Sequence, residues 1–91
     1  MVTRSAELVF AIPCAHSLKD KRMVARSLID KTRHRFNASV AEVGTQDILQ
    51  TLSIGIAVVS GDGSHAQRML EEIVRTMEKT ADAELISVRY E

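Results

Sequence analysis

The chain has 91 residues, 45% hydrophobic and 26% charged, the composition of one ordinary globular domain. Its 12 Lys+Arg balance 12 Asp+Glu, which argues against a uniformly basic nucleic-acid binder and against an acidic disordered tail. No apolar run approaches the roughly 18 residues of a membrane span, no charged-then-apolar leader is present, and the single Cys14 makes no internal disulfide, so a reducing cytoplasm fits best.

In chain order, Leu8, Phe10 and Ile12 alternate with Glu7, Val9 and Ala11, a period of two that predicts a strand over Glu7 to Ile12. Pro13 removes a backbone donor and ends it. Ser17 is placed to cap a helix, with Asp20 three residues on as an imperfect capping box. Leu18, Ala25, Leu28, Thr32 and Phe36 follow at helical spacing on one face, and Asn37 is the stop. Ala38 to Val43 reads as a short strand, and Gly44 opens a polar connection through Thr45, Gln46 and Asp47. Leu52, Ile54, Ile56 and Val58 alternate with Ser53, Gly55, Ala57 and Val59, the clearest strand of the chain. Gly61-Asp62-Gly63 is a turn. A second helix runs from Ser64 to Lys79 and buries Ala66, Met69 or Leu70, Ile73 and Met77. Ile86 and Val88 then alternate with Leu85 and Ser87 in a last strand.

The order βαββαβ predicts a single α+β domain over residues 1–91. It is a ferredoxin-like sandwich, with a four-stranded antiparallel sheet of order 4-1-3-2 and both helices on one face. A domain of this size buries only roughly 60–65% of its unfolded-chain surface and gains from self-association.

This topology gathers His16, Ser17, Lys19, Lys21 and Arg22 at one end of the sheet with Glu42, Gln46, Asp47 and Gln50. Asp62 and His65 go to the opposite end, so His16 and His65 do not meet. A helix N-terminus flanked by basic side chains favours an anion. The competing reading is a helix cap with solvated lysines, paired with Glu42 or Asp47. From Ser17 to Phe36 there are seven basic residues and two acidic ones, a net charge of +5 that the remaining chain balances. Arg22, Arg26 and Arg33 share a stripe of this helix and are placed to track phosphates or an acidic protein surface. An Arg26–Asp30 ion pair is the alternative.

Sheet-borne RNA readout needs aromatic platforms, and the chain offers only Phe10, Phe36 and Tyr90. The face of the sheet away from the helices is expected to carry Val9, Ala11, Ser53, Gly55, Ala57, Val59, Leu85 and Ser87. That is a small apolar patch suited to a homodimer, with Val9, Ala11, Gly55, Ala57 and Val59 at its centre. Cys14 and His16 are two potential metal ligands where a structural site needs about four, so neither a metal nor a cofactor is expected. No nucleophile elbow or P-loop is present.

Three blocks, IPCAHSLKDKR (Ile12 to Arg22), RFNASVAEVGTQDILQ (Arg35 to Gln50) and LSIGIAVVSGDGSHAQRML (Leu52 to Leu70), resemble the YlxP-like family of small bacterial proteins over essentially the whole chain. The resemblance implies a ferredoxin-like fold and no established enzymatic activity. Genes of this family commonly lie beside those for a translation initiation factor and a ribosome-binding factor, which implies a ribosome- or RNA-associated role. The motif positions it carries over are His16, Ser17, Leu18, Lys19, Lys21 and Arg22, then Glu42, Gly44, Gln46, Asp47 and Gln50, with no role assigned to any. Cys14 departs from an expected Gly, and Ile48-Leu49 lacks an aromatic, which weakens base stacking by that loop.

The leading expectation is a cytoplasmic, non-enzymatic protein that contacts RNA or the ribosome through the first helix, with no sequence-specific DNA binding and no membrane. Alternatives are an anion- or small-molecule-binding regulatory dimer using His16, Lys19, Gln46 and Asp47, and a protein-interaction module using the open sheet face. Acid–base chemistry by His16 and Asp47 ranks below them, since no nucleophile accompanies the pair.

Overall fold

Alternating apolar side chains force two long strands to turn the same face inward. In the computed structural model, which describes residues 1–91, these are β1 (Val2–Ala11) and β3 (Thr51–Ser60). They pair antiparallel with Leu8 opposite Ile54 and Phe10 opposite Leu52, all four fully buried. The short β2 (Ser39–Glu42) pairs with β3, and β4 (Glu84–Tyr90) pairs with β1, both antiparallel. The order β2-β3-β1-β4 is the expected 4-1-3-2 read from the other edge.

Helices α1 (Leu18–Arg35) and α2 (Gly63–Thr80) close over the apolar face. Ala66, Leu70, Ile73, Val74 and Met77 of α2 enter one core with Ala25 and Leu28 of α1 and the inward residues of β1, β2 and β3. α2 packs over the central strands and α1 over the β2 edge. An edge position leaves much of α1 in solvent, which is where all of its basic residues except Lys21 lie.

Three elements differ from the periodicity reading. β1 begins at Val2, because the alternation continues through Val2 and Ala6 across Arg4, a charged residue on the helix side that breaks the apolar pattern. Leu18 at 45% exposure and the half-buried Phe36 lie at the margins of the buried stripe of α1, and Lys21 lies inside it. In β4 the register slips between Val9 and Phe10: Val9 faces Ser87 but Phe10 faces Leu85, leaving Ile86 as an extra residue. This bulge reverses the expected facing of Leu85 and Ile86 and leaves Ser87 and Val88 as expected. Leu85 packs on the core with Val88, and Ile86 is 58% exposed.

Candidate functional site

The end of the sheet that gathers the motif residues is held together by its own side chains. Ser17 caps α1 as expected, its Oγ accepting from the Asp20 amide at 3.1 Å. The Asp20 carboxylate turns back and accepts from the His16 amide at 3.0 Å. An acidic group thus already sits at the helix N-terminus that the sequence offered to an anion. Gln50 reaches across from the start of β3, its Nε2 donating to the carbonyls of Ala15 at 3.1 Å and Pro13 at 3.3 Å. The β1–α1 loop is thereby fastened to β3.

Lys21 fastens the second loop. It is 1% exposed, and its ammonium donates to the carbonyl of Thr45 and to that of Ile48 at 2.5 Å. It also lies 3.2 Å from Glu42 Oε2, which accepts no hydrogen bond in that geometry and is itself sealed from solvent. Glu42 thus pairs with the ammonium as an ion, while the hydrogen bonds of Lys21 go to the loop carbonyls. Gly44 permits the turn, with φ of +78°, and Thr45 Oγ1 accepts from the Ser53 amide at 2.8 Å. Lys21 is therefore not part of the exposed basic surface. The ion pair with Glu42 is the pairing that competed with the anion reading.

Two further candidates close the sheet edge. The Val43 amide donates to the Ser53 carbonyl, so by alternation Val40 and Glu42 turn their backbone groups outward. Arg33 Nη2 donates to the Val40 carbonyl at 2.5 Å, and Gln46 Nε2 to the Glu42 carbonyl at 3.4 Å. Side chains that occupy outward carbonyls blunt the edge against a stray strand.

His16, Lys19, Arg22, Arg26 and Asp47 remain exposed. The ion pairs of the whole protein are Lys21 with Glu42 and Arg89 with Glu7 and Glu91. The alternative Arg26–Asp30 pair is not formed, and none of the exposed cations of α1 is neutralised by a carboxylate. Arg22, Arg26 and Arg33, with Asp30, line a groove of about 430 Å³ between α1 and β2.

On the open sheet face Val9 and Ala11 of β1 lie opposite Ser53 and Thr51 of β3, while Gly55, Ala57 and Val59 lie opposite Glu7, Ser5 and Thr3, so polar partners run through the expected dimer patch. A Cβ at Gly55 would come within 3.3 Å of Val43 Cγ1, so the Val43 side chain would have to give by a few tenths of an ångström. Glu7, opposite Gly55 and ion-paired with Arg89 at 3.5 Å, interrupts this patch. Any partner seated there must bury that pair, and desolvation costs several kcal/mol per ion.

At the far end the sequence reading missed a small network. Asp62 caps α2, its Oδ1 accepting from the Ser64 amide and the Ser64 hydroxyl, each at 2.9 Å. Ser60 Oγ lies 3.1 Å from His65 Nδ1 and accepts from the Asp62 amide. The Ser-x-Asp-x-Ser-His spacing just before an apolar helix was the signal available. The Ser64 hydroxyl and amide, then the His65 amide, hold the Asp62 carboxyl below its ordinary value. A carboxyl depressed in the folded state stabilises above its unfolded pKa, and that contribution disappears as pH falls through the folded value. In acid unfolding, Asp62→Asn is accordingly less stable than the wild type at neutral pH, and the gap closes below the ordinary carboxylate range. A constant gap would show that the charge of Asp62 is irrelevant to the cap.

Fold and site together define a small ferredoxin-like α+β domain with a locked loop end and an unneutralised basic helix beside one sheet edge. The chain belongs to the family described as Protein of unknown function (DUF503), whose model matches residues 4–90. It is 33% identical over 86 residues to Uncharacterized protein YlxP of Bacillus subtilis (strain 168), covering 94% of each chain. Among solved structures it is similar to the De novo designed protein Ferredog-Diesel, with a TM-score of 0.48 and 10% identity, over 99% of this chain and 84% of that one. No helix is long and apolar enough to cross a membrane.

Proposed function

We propose that this protein is a cytoplasmic, non-enzymatic RNA-contacting protein, associated with the ribosome or its RNA through the outer face of α1. The observation that carries the reading is that Lys19, Arg22 and Arg26 are exposed on one helix face with no carboxylate partner. Surface cations are cheap to neutralise, and this chain has acids enough to do so elsewhere in the sequence. Leaving them unpaired keeps their attraction for a polyanion. Arg33 adds charge at the far end of the groove while holding Val40.

Cosedimentation with purified bacterial ribosomal subunits tests this. The protein pellets with a subunit at about 50 mM salt and is largely released by about 200 mM, because each phosphate contact releases a counterion. Protein that stays in the supernatant at the lower salt refutes the reading.

A further inference from the structure

The loop that Lys21 holds lies outside the core. The Ile48 amide donates to the Thr45 carbonyl at 3.1 Å, closing a four-residue turn with Gln46 and Asp47 at its exposed tip. Lys21 donates to the carbonyls at both ends of this turn. A buried ion pair contributes little net stability, because desolvation offsets its attraction. The Lys21–Glu42 pair instead fixes where a surface turn stands. Binding residues are commonly carried on loops that a rigid scaffold positions.

The turn also continues the basic groove. Arg33 meets Val40 at one end of the groove, and at the other end Lys21 and Arg22 come level with Glu42. Three residues past Glu42 the chain enters the turn. Asp47, at the tip, makes no ion pair and no hydrogen bond within the protein. Lys19 and Arg22, at the same end of the domain, are equally unpaired. A carboxylate held beside phosphate-binding cations repels the ligand unless the ligand offers it a proton. It can only accept hydrogen bonds. The donors of an RNA are its 2′-hydroxyls and its base N–H groups.

Resting on the RNA reading above, we infer that Asp47 is a binding residue of the same surface. Its carboxylate accepts a hydrogen bond from a 2′-hydroxyl or a base N–H at the Arg22 end of the groove. Lys21 is the positioning residue that holds its turn. Asp30 lines the groove without such support, and its carboxylate acts on the ligand by repulsion alone.

The test is fluorescence anisotropy at about 50 mM salt with the full chain. The probes are a mixed-sequence RNA of about 12 nucleotides and DNA of the same sequence. Asp47→Ala lowers affinity for the RNA at least about tenfold, the size of one hydrogen bond to a charged group. Charge alone predicts the opposite sign, and Asp30→Ala shows it, binding about twofold tighter. A loss in Asp47→Ala confined to the RNA assigns the 2′-hydroxyl as donor, and an equal loss on the DNA assigns a base N–H. Asp47→Ala that binds the RNA as well as or better than the wild type overturns the inference while leaving RNA binding intact. An equal fall in Asp30→Ala overturns it too, since the loss would then follow from any missing carboxylate. Wild-type protein that does not bind the RNA overturns the RNA reading itself. For Lys21 the readout is non-additivity. In a Lys21→Met/Glu42→Leu background, Asp47→Ala changes RNA affinity by less than about twofold, because the turn has already lost its place. A full tenfold effect there would remove Lys21 from the positioning role.

Discussion

Replacing Lys21 with Met lowers stability by about 3–5 kcal/mol, the usual cost of removing one partner from a buried charged pair. The thioether chain fills the space of the lysine stem, so the loss isolates the ammonium. Glu42 Oε2 is left buried with no partner, and the Thr45 and Ile48 carbonyls lose their donor. In a domain of this size each kcal/mol moves the melting temperature by about 4–8 °C, so it falls by at least about 12 °C. Adding Glu42→Leu to Lys21→Met recovers part of the loss, because the orphaned carboxylate is gone. Recovery is incomplete, because the two carbonyls still lack a donor. A melting temperature within about 4 °C of the wild type in Lys21→Met would show that the loop does not depend on this lysine.

The charge-reversal variant Arg22→Glu/Arg26→Glu gives the opposite pattern. Both residues are exposed and neither bonds to another part of the protein, so stability stays within about 0.5 kcal/mol of the wild type. RNA affinity falls at least about 100-fold. Each guanidinium–phosphate contact is a hydrogen bond to a charged group worth about 1.5–3 kcal/mol, and about 1.4 kcal/mol is tenfold in affinity. Two lost contacts supply that factor before repulsion by the new carboxylates is added. A variant that melts normally and binds RNA normally removes the outer face of α1 from the function.

The contrast between these variants separates two roles that the sequence mixes within eight residues. In Ala15 to Arg22, Ser17 and Asp20 close the helix end and Lys21 holds a loop, while Lys19 and Arg22 remain free. The order of elements, the sheet order and the buried stripe of α2 were legible because strict alternation and helical spacing each have one interpretation in a two-layer sandwich. The burial of Lys21 was legible too. It lies three residues after Leu18 and four before Ala25, inside the apolar stripe of α1. Residue type outweighed position in that reading, since lysine is almost never fully buried unless paired. The partners that make its burial possible, the carbonyls of Thr45 and Ile48, lie 24 and 27 residues away in a loop without periodicity.

The bulge in β4 left no trace in the sequence. Leu85-Ile86-Ser87-Val88 contains no glycine or turn residue, and either of two apolar residues could face the core. Pairing with β1 decides between them, through the register slip at Val9 and Phe10. The capping of the β2 edge by Arg33 and Gln46 was hidden for a related reason. Arg33 read as a phosphate-tracking residue and Gln46 as a loop-site candidate until β2 is placed beside them with its carbonyls turned outward.

The most direct test of the central claim is the salt dependence of RNA binding by the wild-type protein. Each phosphate neutralised contributes about −0.7 to −0.9 to the slope of log K against log salt. Contacts by Lys19, Arg22, Arg26 and Arg33 therefore predict a slope between about −3 and −4. A slope near zero would contradict the account, because binding would then owe nothing to the unneutralised cations of α1.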